Sequence, residues 1–221
     1  MNSRRIERHI QFALLSAYAN SGLALVKLAL GIWGASPTLC LYALCSVGMA
    51  AAKWIAARSY RHIGDGGGDG ESLFSNGEAG SQREEDLRVH TAVGAIIVAT
   101  SVPFLLHSLY VYTRGGSADY PANVAIAIAA VTFTEIGMAI YGAIVAKRAG
   151  VRLVTLLKLT NLAFALFLLV LTQTAILSFA DPRYLSTYNG LSGLLFGAGA
   201  LSIGGYIVVR AGADRKRVGE T

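Results

Sequence analysis

Six apolar blocks, each close to the length of a membrane-spanning helix, constrain this chain more than any other feature. They are Ile10–Trp33, Pro37–Ala57, His90–Tyr112, Ala122–Ala146, Leu153–Ser178 and Tyr188–Val209. A helix needs roughly 20 apolar residues to cross the hydrocarbon core. In lipid, every backbone polar group must be paired within the protein, so only helices and closed barrels can span. No block alternates with period two, which leaves helices. The composition agrees: 54% of the 221 residues are hydrophobic and 14% charged, against about 25% charged in soluble domains. Soluble-enzyme, secreted-disulfide and DNA-binding readings are excluded. The expected fold is all-α, a polytopic membrane protein of six transmembrane helices. Residues 1–9 form an N-terminus, 10–209 the membrane domain with a long loop at 58–89, and 210–221 a basic tail.

Basic residues set the expected orientation. Fourteen lie on one side of the six-span scheme, among them Arg4, Arg5, Arg58, Arg88, Lys147, Arg152, Arg210 and Lys216, and only Arg114 and Arg183 lie on the other. Lys27, Lys53 and Lys158 fall within spans. Positive charge is retained in the cytoplasm, so both termini are expected inside. The net charge of +6 is therefore a topology signal, and no nucleic acid is implied. Trp33, Tyr110, Tyr112 and Tyr188 fall where the outer interface would be, and Trp54 and Tyr60 near the inner one. The lipid bilayer is the expected partner, a homodimer a candidate assembly, and the plasma (inner) membrane of a prokaryote the expected location.

Several motifs reduce to simpler readings. Cys40 and Cys45, five positions apart on a helix, point about 140° away from each other, which suits no mutual disulfide. The Gly-Asp-rich run His62 to Glu71 lacks the ligand spacing of a calcium loop and reads as a solvated linker. Gly190-Leu191-Ser192-Gly193 resembles the serine motif of rhomboid proteases. That chemistry needs a histidine base, which in that family comes later in the chain, whereas His9, His62, His90 and His107 all precede Ser192. Gly193 and Gly197 have the spacing of close helix packing instead. No enzyme activity is expected.

Ionisable groups inside the membrane are functional candidates, because leaving one uncompensated costs about 2.5–3.5 kcal/mol or more. Glu135 is the only acidic residue well inside any block, and Lys27 and Lys158 are the deepest cations. Asn20 and Asn161 add polar groups at similar depth. These five are the candidate lining of a transport path. The alternative is a buried ion pair, or a snorkelling lysine, that fixes helix packing. Asn20 and Ser36 are sixteen positions apart, as are Glu135 and Val151, an internal echo of the kind frequent in transporters.

Asn20, Lys27, Gly31, Ser36, Ala43 and Ser46 stand at spacings that resemble the first two helices of the cation diffusion facilitator family. Gly80-Ser81-Gln82-Arg83-Glu84-Glu85 before the third block is similar to that family's Gly-His-x-Arg-x-Glu, and Tyr141 and Ala146-Lys147-Arg148 also fit. The resemblance covers most of residues 16–210. It implies a tetrahedral metal site built from two i, i+4 ligand pairs. The matching positions here are Cys45 and Met49, then Thr160 and Phe164, with Tyr42 at the nearby acidic position. Four N, O or S ligands for zinc cannot come from this set, so the site is degenerate. Cys45 and Met49, one turn apart, are soft ligands suited to Cu(I), or ordinary apolar packing residues.

The resemblance thus implies a cation transporter-like protein without the usual zinc site. No cofactor is expected, and a metal cation is a possible substrate. Two other readings are a non-transporting membrane scaffold or subunit, and the substrate-binding subunit of a vitamin transporter.

Overall fold

A computed structural model describes residues 18, 21–29, 31–33, 36–65, 76–116, 122–147, 152–177 and 182–219. Among these, Ser36, Gly115 and Gly116 are the only ones outside a helix. The apolar stretch Ser21–Trp33, here α1, is helical at each described position. It is followed by α2 (Pro37–Asp65), α3 (Asn76–Arg114), α4 (Ala122–Lys147), α5 (Arg152–Leu177) and α6 (Pro182–Gly219). Four segments are long and apolar enough to cross a membrane: Pro37–Ala56, Arg83–Arg114, Thr155–Leu177 and Leu185–Lys216. The protein is an integral membrane protein. The apolar parts described in α1 and α4, Ser21–Trp33 and Asn123–Gly137, are shorter.

Local chemistry explains the helix ends. Ser36 precedes α2 and its hydroxyl accepts from the Leu39 amide at 3.4 Å, while Pro37 occupies the first helical position, where no amide partner is needed. The Ser36 amide reaches back to the Gly31 carbonyl at 2.9 Å, which closes the turn from α1. At the far end of α3, Gly115 and Gly116 take φ of 75° and 86°, the left-handed region that stops a helix at little cost only in glycine.

Two expectations need correction. The connection 58–89 is not simply a loop, because α2 continues to Asp65 and α3 begins at Asn76. Residues 66–75 lie outside the described set. The tail after residue 209 is likewise helical to Gly219. Hydropathy falls where the chain meets charge, but helical hydrogen bonding does not, and Arg, Lys, Glu and Ala are good helix formers.

The longest seam joins α3 and α6 in antiparallel register. As the α6 position rises from Gly190 through Gly193, Gly197 and Gly204, its neighbour on α3 falls from Tyr112 through Ser108 and Leu105 to Ile97. Gly94 then meets Ile207 and Val208. Glycine along one face lets two backbones approach closely, the usual means of gaining packing energy in lipid. Gly193 and Gly197 are therefore used inside the chain. The opposite faces of these helices present Leu106, Leu109, Leu191, Leu195 and Val209, as lipid-facing surfaces do.

The core lies among α2, α3 and α5. Phe104, Phe164 and Phe167 are almost fully buried and pack with Tyr42, their ring centroids 4.6–5.8 Å apart. α4 packs on α5, where the Thr172 hydroxyl donates to that of Thr132 at 2.7 Å.

Candidate functional site

On α1 the buried residues are Ala24, Lys27 and Gly31, at steps of three and four that make one helix face. On α4 Ala125, Ile128, Thr132 and Glu135 are buried in the same rhythm. The inward stripe of each helix thus carries one charge, and the two meet. Lys27 Nζ lies 2.6 Å from Glu135 Oε2, and the side chains are 6% and 0% exposed. Lys27 also donates to Ser46 Oγ on α2 at 3.1 Å. The Ser46 hydroxyl sends its own proton to the Tyr42 carbonyl at 3.0 Å, which turns a lone pair toward the ammonium. One lysine thereby ties α1 to both α2 and α4.

Glu135 Oε1 is buried and has no hydrogen-bond partner among the described residues. Such an atom normally finds a partner, because burying it unpaired is costly. Lys53, two turns beyond Ser46 on the same face of α2, is 6% exposed and within electrostatic reach of Glu135. Chemically, the arrangement is a cation-held carboxylate with a spare acceptor. A proton or cation arriving there would compete with Lys27 for the carboxylate and free the ammonium.

The structure brings Lys27 and Glu135 together, and among the described residues neither Lys158 nor Asn161 is hydrogen-bonded or ion-paired to them. Lys158 is half-buried and joins no ion pair among the described residues. Asn161 is half-buried, with its Oδ1 enclosed and without a hydrogen bond among the described residues. Asn20 lies outside the described residues.

The positions at which the resemblance implied a metal site lie in apolar packing. Cys45, Met49 and Phe164 belong to one hydrophobic cluster spanning α2 and α5, and the Thr160 hydroxyl donates to the Leu156 carbonyl of its own helix at 2.9 Å. Among the described residues no three His, Cys, Asp or Glu side chains gather closely enough to hold a metal ion. Cys40 and Cys45 are free thiols. Ser192 donates to the Tyr188 carbonyl at 2.7 Å, a hydrogen bond within its own helix.

Sequence reasoning missed two members of the charged centre. Ser46 was legible only as a small residue at a matching spacing, and Lys53 as a lysine within a span but not as a path candidate. The signal was their shared helix face, seven positions apart. Comparison with protein-family models, curated proteins and solved structures finds no match.

Proposed function

We propose that the protein is a six-span, cation transporter-like membrane protein with both termini cytoplasmic, and that the Lys27–Glu135 pair is its proton- or cation-responsive lock. The observation that carries this reading is the buried 2.6 Å pair between α1 and α4, with one carboxylate oxygen left unbonded among the described residues. An ion pair in lipid is expensive to assemble, and a spare buried acceptor adds to that cost without adding stability. Both make sense where charge has to arrive and leave. When Glu135 takes a proton, its attraction for Lys27 is lost and α1 is released from α4, a discrete change of the kind alternating access requires. The metal cation is substrate in this reading, and the location is the plasma (inner) membrane of a prokaryote.

Cation uptake into liposomes under an imposed pH gradient tests the proposal. Wild-type protein should give pH-dependent uptake, and the double variant Lys27→Met/Glu135→Gln, which buries no lone charge, should reconstitute and lose that dependence. Packing of Tyr42, Phe104, Phe164 and Phe167 between α2, α3 and α5 favours a second reading, a non-transporting scaffold or subunit. Absence of any cation flux from wild-type protein would decide for it.

The topology has its own test. Fourteen of the sixteen basic residues outside the spans fall on one side, which supports a cytoplasmic connection between the second and third spans. With Cys40 and Cys45 replaced, a cysteine placed at Ser75 should resist a membrane-impermeant thiol reagent in intact cells and react after permeabilisation. Strong labelling from outside would invert the orientation.

A further inference from the structure

Beyond the Lys27–Glu135 centre, a cavity of about 100 Å³ opens between α3, α5 and α6 at the end where the α3–α6 glycine seam runs out. Its floor is apolar, made by Leu87, Leu156, Ile207 and Ala211, all buried. Its rim is polar and of mixed sign: Asp86 and His90 from α3, Arg210 and Asp214 from α6, and Thr155 from the first turn of α5. His90 and Arg210 stand at the boundary between apolar and charged sequence on their helices. That boundary is the headgroup level of a bilayer, where polar rims over apolar floors are stable.

The rim groups are held in place. Arg210 Nη1 donates to the Tyr206 hydroxyl at 2.8 Å, and its guanidinium lies over the Tyr206 ring, 5.9 Å from the centroid. His90 Nδ1 lies 2.8 Å from the Asp86 carbonyl oxygen and 3.4 Å from Asp86 Oδ1, so Nε2 is turned away from that turn. Asp86 and His90 keep 29% and 20% of their side chains exposed, enclosed enough to bind and open enough to be reached. One water needs about 10–15 Å³ of cavity space, so the cavity has room for a small polar headgroup.

We propose that this cavity is a binding site for the headgroup of phosphatidylethanolamine. Asp86 and Asp214 offer acceptors for a primary ammonium, which has three donors. Arg210 offers a phosphate the charge-assisted hydrogen bonds that guanidinium makes best. A zwitterionic headgroup engages both sets at once, its ammonium the carboxylates and its phosphate the guanidinium, whereas a ligand with one charge engages one set alone. Tyr206 lines the cavity and is also half exposed on the outer side of α6, which leaves an edge along which acyl chains can follow. The site depends only on these helices spanning a membrane, not on whether the protein transports anything.

Native mass spectrometry of the full chain in detergent, titrated with defined lipids, tests this. Phosphatidylethanolamine should be retained about tenfold better than phosphatidylcholine, whose methyl groups remove the ammonium donors, and than phosphatidylglycerol, which lacks the cation. Asp86→Asn combined with Arg210→Gln should erase the preference, whereas Arg215→Gln on the exposed side of α6 should leave it intact. Unchanged thermal unfolding of the variants in lipid-free detergent would show that a lost preference is not misfolding. Equal retention of the three lipids, or a preference that survives the double variant, would overturn the assignment. So would stabilisation by free phosphoethanolamine with no preference among lipids.

Discussion

Lys27→Met should destabilise the folded protein by about 3–5 kcal/mol, the cost of leaving one member of a buried pair without its partner. Lys27 holds Glu135 at 2.6 Å and Ser46 at 3.1 Å, so the substitution strands a carboxylate whose other oxygen has no hydrogen bond among the described residues and removes the side-chain ties from α1 to α4 and to Ser46. Adding Glu135→Gln should restore most of the loss, because two neutral side chains impose no charge-burial penalty. The same cycle with Lys158→Met in place of Lys27→Met should show little coupling, since Lys158 belongs to no ion pair among the described residues. Chemical unfolding in mixed micelles measures wild type, the three single variants and the two double variants. A Lys27→Met cost below about 1 kcal/mol would mean the pair is solvated and contributes only what surface pairs do. This measurement is independent of flux: the pair can be strongly coupled in a transporter or in a scaffold, and uptake distinguishes those.

Gly190→Ala should be nearly as damaging, by about 1–3 kcal/mol, through overpacking. A Cβ at position 190 would lie 2.6–2.7 Å from Cα, Cβ and N of Tyr112. Those are largely backbone atoms, which no rotamer change can move aside, so α3 and α6 must separate along the whole seam. Gly212→Ala is the control. Its Cβ would meet nothing within 4 Å, and replacing glycine there should be neutral or slightly stabilising by helix propensity. Parallel thermal unfolding of the two variants checks this, and equal midpoints would show that the close approach at Gly190 is not maintained in the membrane.

Much of this was legible before any coordinates. Lys27 and Glu135 stood out because charge within an apolar run is costly wherever the run folds, and Gly193 and Gly197 stood out by their spacing. Other features were not. Lys27 and Lys158 were equal candidates as the partner of Glu135, and the pair actually formed joins residues 108 positions apart. Gly193 and Gly197 gave no sign of whether they face α3 or a second copy of the chain. Cys45 and Met49 shared a face, but nothing in their spacing told that Phe164 belongs to the same packed cluster. The helical extensions of α2, α3 and α6 were missed because hydropathy reports the solvent around a segment, not its backbone hydrogen bonds.

The sequence by itself determined the solvent, the helical class and the residues too polar to leave alone in lipid. Transfer free energy and backbone pairing are local quantities that accumulate along a segment, so they can be read from its composition and length. Tertiary structure alone decided which lysine answers Glu135, which helix receives the α6 glycines, and that the α2–α5 contact is filled with rings. Those outcomes depend on the rotation and depth of each helix against its neighbours, set by the sum of many weak contacts across several interfaces at once.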